Sequence, residues 1–480
     1  VAVNNHQHLN MRYVWSICLV AACGGLLFGY DWVVIGGAKP FYEAWFNVTD
    51  PAASGWAMSS ALVGCVFGAL VSGWSADKLG RRLPLIVAAL LFVVSAIGTA
   101  LASSFTLFVW WRILGGVGIG IASALSPMYI AEISPADKRG KFVAVNQLTI
   151  VIGVLAAQLV NLMIADPVVG ASTHAALRET WNGQVGWRWM FASAAVPSLA
   201  FLLLMMWVPE SPRWLMLVGQ PQRALAMLNK IGSPAYAQQT QREIARALEQ
   251  DRQQTRARAG SLLAPRTLPI VITGIVLAIF QQWCGINVIF NYAQEIFASA
   301  GFDINGTLKS IVATGLINLL ATVLALPLVD RLGRRKLMLI GAGGLTLCYA
   351  LIAGAYTLGI TGWPVLILVL AAIAVYALTL APVTWVLLAE IFPNRIRGLA
   401  MSVATLALWI ACFVLTYTFP ILNAGLGAAG SFMLYGVICA AGFVFVLRRV
   451  PETKGISLEQ LEQQLTAGEP AAVAGEHSLR

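Results

Sequence analysis

The stretch Asp77-Lys78-Leu79-Gly80-Arg81-Arg82 returns 253 residues later as Asp330-Arg331-Leu332-Gly333-Arg334-Arg335. Two further motifs repeat in the same order. Ala131–Gly140, carrying Glu132, Pro135 and Arg139, returns as Ala389–Gly398 with Glu390, Pro393 and Arg397 at the matching places. Pro209-Glu210-Ser211-Pro212-Arg213 returns more loosely as Pro451-Glu452-Thr453-Lys454-Gly455. Three motifs recurring in order, at offsets of 253, 258 and 242 residues, imply that the chain is two related halves. Parallel repeats of this kind are a transporter architecture, in which a ligand site near the midplane between the halves is expected.

What lies between the motifs is apolar. Of the 480 residues 59% are hydrophobic and 11% charged, against about 25% charged in a soluble domain. Apolar runs of roughly 20 residues recur, each able to cross a hydrocarbon core of about 30 Å. Backbone groups facing lipid must be satisfied within their own segment, so the runs are read as helices. Their starts fall near positions 12, 55, 83, 105, 142, 187, 268, 308, 337, 363, 399 and 428. The expectation is an all-α membrane protein of twelve transmembrane helices in two six-helix halves, 12–208 and 268–448. A helical linker over 209–267 joins them, and short tails, 1–11 and 449–480, flank them.

The first run, Val14–Gly37, has spanning length and no cleavage site behind it, so it reads as a retained helix rather than a signal peptide. The net charge of +10 is accounted for by topology. All of the 31 Lys and Arg except Lys39, Arg112, Arg178, Arg188 and Lys309 fall on one side. Basic loops stay cytoplasmic. That places both termini inside and the chain in an inner or plasma membrane, and nucleic acid is not expected as a partner. All seven cysteines lie in predicted spans without metal spacing, so no disulfide framework or metal site is expected. In the linker, Pro221 opens one short helix. Gln241–Gln253 forms another, with Ile244, Ala247 and Leu248 on one stripe.

Ionisable residues within spans are costly and mark function. Two stand clearly inside predicted spans, Asp31 in the first and Arg112 in the fourth. Counting from opposite faces puts them at matching depth, which makes them candidate partners. Protonating Asp31 would free Arg112 and change which packing is favoured, so Asp31 is the candidate proton carrier. A second set lies at the inner helix ends: Asp77, Arg81, Arg82, Glu132, Arg139, Glu210 and Arg213. Its second-half members are Asp330, Arg334, Arg335, Glu390, Arg397 and Glu452. Single exposed pairs contribute about 0–1 kcal/mol, so only a network of them can act as a gate. Glycines at 73, 80 and 333 are expected in the tight turns of these loops.

The seventh span holds Gln281, Gln282, Trp283, Asn287, Asn291 and Tyr292 within twelve residues. Buried amides need partners. A ligand rich in hydroxyls, with C–H faces, suits amides that donate and accept beside aromatic surfaces. Gln147 and Gln158 of the fifth span share a face, Asn318 is the amide of the eighth, and Trp385 and Trp409 sit in the tenth and eleventh.

These features resemble the sugar porter family of the major facilitator superfamily over nearly the whole chain, and within it the bacterial D-xylose–proton symporters. The resemblance rests on Asp77–Arg82, Arg112–Gly120, Pro127–Pro135, Pro209–Arg213, Gln281–Asn287, Trp385 with Glu390, and Pro451–Gly455. It implies the major facilitator fold and proton-coupled import of a monosaccharide, xylose or a related pentose or hexose, by alternating access. Sugar hydroxyls would meet Gln147, Gln281, Gln282, Asn287 and Asn318, with Trp385 stacking beneath and Trp409 lining the cavity. Phe28-Gly29-Tyr30-Asp31 keeps the coupling aspartate of the symporters, where animal facilitators have asparagine. Val154, Ala381, Asn291, Leu408 and Cys412 depart from the family pattern and bear on which sugar fits. The implied partners are a monosaccharide, protons and membrane lipid, with no cofactor, no enzymatic activity and a monomer as the working unit. An uncoupled facilitator and a polyol or inositol–proton symporter are the alternatives.

Overall fold

The computed structural model describes residues 9–168, 173–253, 262–265, 267–393 and 396–454. The tails before residue 9 and after 454, the linker over 254–261, and Arg395 of the repeated motif lie outside the described residues. Eleven helical stretches are long and apolar enough to cross a membrane. The last of them, Arg397–Arg449, has 53 residues, and at 1.5 Å per residue would be about 80 Å long. It is interrupted at Gly427, whose φ of 69° and ψ of 176° no helix contains. Only glycine takes that backbone readily. The stretch is therefore two crossings, and the described residues make twelve.

Contacts divide the chain into two compact units, Val1–Thr255 and Arg256–Arg480. The first holds α1 (Met11–Phe46), α2 (Pro51–Leu79), α3 (Arg82–Ala100), α4 (Phe105–Ile133), α5 (Arg139–Ile164) and α6 (His174–Glu179). A π-helical turn, Asn182–Gly186, then leads into α7 (Trp187–Ala192) and α8 (Ala195–Met205), which together make the sixth crossing. The linker forms α9 (Pro212–Leu217), α10 (Pro221–Ile231) and α11 (Pro234–Gln253). The last of these begins earlier than the sequence suggests, at Pro234, and its Ile244, Ala247 and Leu248 are part-buried between exposed neighbours.

The second unit holds α12 (Leu268–Trp283), α13 (Ile286–Asn291), α14 (Ala293–Ser299), α15 (Ile304–Leu332) and α16 (Arg334–Thr357). They are followed by α17 (Trp363–Leu378), α18 (Leu380–Ile391) and α19 (Arg397–Arg449). Helix starts carry local signals. Asp50 accepts from the Ala53 amide at 3.0 Å ahead of Pro51, and Asp303 accepts from Gly306 at 2.9 Å. Each satisfies a donor that the first turn leaves open.

In the first unit α1 packs on α4 and α5, and α2 packs on α4. The α2–α4 seam is made of glycines four apart, Gly64 and Gly68 facing Gly116 and Gly120. A Cβ at any of them would run into the partner's main chain. With apolar lipid on the outside, such close backbone approach is what holds membrane helices together. Gly73, expected in a turn, instead lies within α2 with open space beside it. The turn residues are Gly80 and Gly333, with φ of 87° and 89°.

Replacing Gly116 with leucine forces its side chain against the Ala61 carbonyl. It is expected to destabilise the protein by about 1–3 kcal/mol or more, read as a lower thermal midpoint of the detergent-purified protein. Gly73→Ala, with nothing in its way, is expected to leave the midpoint unchanged or raise it.

Candidate functional site

Asp31 on α1 and Arg112 on α4 meet in the interior of the first unit, 7% and 2% exposed. The Arg112 Nη1 donates to Asp31 Oδ1 at 2.9 Å and to Oδ2 at 3.0 Å, and Nη2 donates to the Asp31 main-chain oxygen at 3.3 Å. The guanidinium lies 5.7 Å from the Phe191 ring centroid, and its Nε has no hydrogen-bond partner. Gly115, one turn on, leaves room here. A Cβ there would lie 3.8 Å from Asp31 Oδ2 and would collide with Ser95. A buried charge is tolerated when paired, and removing one partner leaves the other uncompensated. The pair can therefore hold its packing only while both members are charged.

A second buried ion pair was not expected. α1 continues to Phe46, past the predicted end near Gly37, and carries Lys39 and Glu43 into the packed interior at 4% and 8% exposure. Lys39 Nζ is 2.8 Å from Glu43 Oε1, and Ser54 Oγ donates to the same oxygen at 2.6 Å. The four-residue spacing that lets helical side chains meet was its signal. Counting Lys39 as a loop charge hid it.

In the second unit the seventh crossing is not one helix. Gly285, φ 85°, separates α12 from α13, and Tyr292 separates α13 from α14. The amide cluster straddles the first break. Asn287 Nδ2 donates to Gln282 Oε1, Gln282 Nε2 to Gln281 Oε1 at 2.5 Å, and Gln281 Nε2 to the Tyr376 hydroxyl at 2.6 Å. Asn287 Nδ2 also approaches Cys412 Sγ at 3.6 Å. Tyr376 stands in the last turn of α17, just before a second break at Thr379 (φ −126°, ψ −80°). Sequence reasoning missed Tyr376, because one tyrosine in an apolar run carries no distinguishing spacing.

The other expected ligand contacts are more scattered. Asn318 is buried on α15, and its amide makes no hydrogen bond among the described residues. Trp409 is buried at 6% exposure, whereas Trp385 is 38% exposed. On α5 Gln158 is buried, but Gln147 is exposed. Asn291 is buried at the end of α13.

The repeated motifs build the same cluster twice. In the first unit Arg81 Nη2 contacts Glu132 Oε1 at 2.7 Å, Ser211 Oγ donates to Glu132 Oε2 at 2.5 Å, and the Arg81 amide donates to Glu210 Oε1 at 2.9 Å. In the second, Arg334 Nη2 lies 3.1 Å from Glu390 Oε1. Thr453 Oγ1 donates to Glu390 Oε2 at 2.5 Å, and the Arg334 amide to Glu452 Oε1 at 2.9 Å. Gly80 and Gly333 lie against those two capping carboxylates. The hydroxyls of Ser211 and Thr453 were overlooked, though each follows the glutamate of its motif.

Four arginines of the expected charge network bind main-chain carbonyls instead. Arg82 donates to Met206, Arg335 to Leu447 at 2.7 Å, Arg139 to Ala131 at 3.0 Å and Arg397 to Phe392 at 3.1 Å. Helix C-terminal carbonyls lack intrahelical donors, and guanidinium forks supply them. Asp77 is exposed and its carboxylate makes no ion pair among the described residues; its main-chain oxygen accepts from Trp214 Nε1 at 3.0 Å. Arg213 is exposed at the start of α9, and the Asp330 side chain lies outside what the structure describes.

A family model described as sugar (and other) transporter matches residues 17–465. The chain belongs to this family. The sugar transporter relatives include the D-xylose-proton symporter of Escherichia coli (strain K12), 40% identical over 94% of this chain and 96% of that protein. The major myo-inositol transporter of Bacillus subtilis (strain 168) is 36% identical over 96% of each. Among solved structures, the inward-open xylose transporter from E. coli superposes with a TM-score of 0.82 at 36% identity, covering 94% of this chain and 100% of that one. This sugar transporter thus has the major facilitator fold and is a multi-pass membrane protein.

The Arg81–Glu132 contact is expected to show a coupling of about 0.5–3 kcal/mol in a double-mutant cycle of Arg81→Ala and Glu132→Ala. Thermal midpoints of the four purified proteins measure it; additive losses would mean that the two side chains act independently.

Proposed function

We propose that this transporter imports a monosaccharide, xylose or a related pentose or hexose, together with a proton by alternating access. The observation that carries the reading is the buried Asp31–Arg112 pair. A paired carboxylate with both oxygens on one guanidinium nitrogen is stable while ionised. Taking up a proton removes its charge, leaves Arg112 without a counter-ion and favours a different helix packing. Sugar and proton then move together because each biases the same two-state equilibrium. The family membership and the D-xylose-proton symporter among the relatives support the cargo.

In this reading Gln281, Gln282 and Asn287, with Gln147 and Asn318, hydrogen-bond the sugar hydroxyls, and Trp385 and Trp409 offer apolar surface to its C–H faces. The clusters around Glu132 with Glu210, and Glu390 with Glu452, hold the inner helix ends of their own units and act as gates. Arg82, Arg139, Arg335 and Arg397 tie helix-end carbonyls within the same gates, beside Asp77, Arg213 and Asp330. Both termini face the cytoplasm across the inner membrane, and the working unit is the monomer. A cyclitol cargo is the second reading, favoured by the myo-inositol transporter among the relatives.

Vesicles holding the purified protein are expected to accumulate labelled xylose when energised, up to about 50-fold for one proton at 100 mV. An uncoupler should collapse the gradient of sugar, and accumulation that survives it would rule out proton symport. Asp31→Asn is expected to abolish accumulation and retain exchange of sugar down its gradient. Loss of sugar binding in that variant would instead assign the pair a structural role. Competition by pentoses, hexoses and myo-inositol against labelled xylose separates the two cargo readings.

A further inference from the structure

The chain Asn287–Gln282–Gln281–Tyr376 has a direction, because an amide that accepts through its oxygen turns its nitrogen onward to the next group. Its two ends are therefore chemically different. At one end the Tyr376 oxygen accepts from Gln281, so its own proton is still available. No acceptor for that proton occurs among the described residues. At the other end Asn287 commits its nitrogen to Gln282 and Cys412, and its Oδ1 has no donor among the described residues. Both ends stand beside helix breaks, Asn287 two residues after Gly285 and Tyr376 three before Thr379.

We propose that Tyr376 is a positioning and specificity-determining residue. Its hydroxyl closes the amide chain, and in the direction the chain takes here the site offers the sugar a donor at Tyr376 and an acceptor at Asn287. The inference rests on the monosaccharide reading above and adds which sugar hydroxyl must accept and which must donate. A phenylalanine at 376 would leave the Gln281 amide without its acceptor. The donor that the hydroxyl offers at this end of the chain would be gone.

Fluorine in place of a hydroxyl accepts weakly and cannot donate, whereas a deoxy position does neither. Inhibition of labelled xylose uptake is measured for monodeoxy and monodeoxyfluoro sugars, position by position, on the wild type and on Tyr376→Phe. In the wild type one position is expected to tolerate fluorine but lose about threefold to tenfold on removal of the oxygen, the size of one neutral hydrogen bond. A second position should suffer equally from both changes. In Tyr376→Phe the first position is expected to lose its preference for fluorine over hydrogen. KM for the parent sugar should rise by about threefold to tenfold while kcat stays within about twofold.

An unchanged fluoro-versus-deoxy pattern in Tyr376→Phe would overturn the assignment. So would a wild type in which fluoro and deoxy sugars track each other at every position, a comparison that needs no variant to fold. In both cases monosaccharides still compete, and the transport reading stands. If no monosaccharide inhibits the wild type, the transport reading fails and this inference falls with it.

Discussion

Within lipid a helix has no water to take up the slack when a backbone hydrogen bond is broken. Every peptide group must find its partner in the protein, and that constraint governs where this chain is regular and where it is not. Most crossings are continuous for 19 residues or more. The breaks within crossings at Gly285, Tyr292 and Thr379 lie in the second unit. Two of the three fall beside the amide chain that ends on Tyr376. Irregular backbone at membrane depth persists only where neighbouring protein satisfies it, and ligand-binding side chains gather at such places.

The same economy explains the glycine seam of the first unit. With lipid as apolar as any leucine, α2 and α4 gain little from burying larger side chains, and their attraction comes from close backbone approach. Gly116 and Gly120 have Ala374 and Leu378 at the corresponding places in the second half, and Gly64 and Gly68 have Ile317 and Ala321. The two units are thus tied together internally by different means. Arg112 likewise has only Leu370 as its counterpart. The charge cluster at the repeated loops, by contrast, is rebuilt almost atom for atom, with arginine, glutamate, a capping carboxylate and a hydroxyl in the same roles. What was kept through duplication serves the ends of the helices. What diverged lies along their length.

The helices themselves were legible because spanning length and apolar composition leave one backbone solution. The pairing of Asp31 with Arg112 was legible because charge in an apolar run is conspicuous and counting along a helix gives depth. Lys39 and Glu43 escaped because the end of α1 depends on packing against neighbours, which hydropathy does not encode. The carbonyl partners of Arg82, Arg139, Arg335 and Arg397 escaped for a related reason. A sequence lists side-chain charges and leaves unstated which main-chain oxygens a helix end exposes.

The amino-acid sequence by itself determined the twelve crossings, the duplication and the presence of amides in the seventh, since each follows from local composition or from a repeated string. The duplicated motifs named the arginines and glutamates of the loop clusters. They did not say that Ser211 and Thr453 complete those clusters or that Asp77 stands outside its own. The tertiary structure alone decided those contacts, the breaks beside the amides, and the bond from Gln281 to Tyr376, 95 residues away. A hydrogen bond between distant residues depends on where two helices are brought together and how each side chain turns. Neither has a signature in the order of residues along one helix.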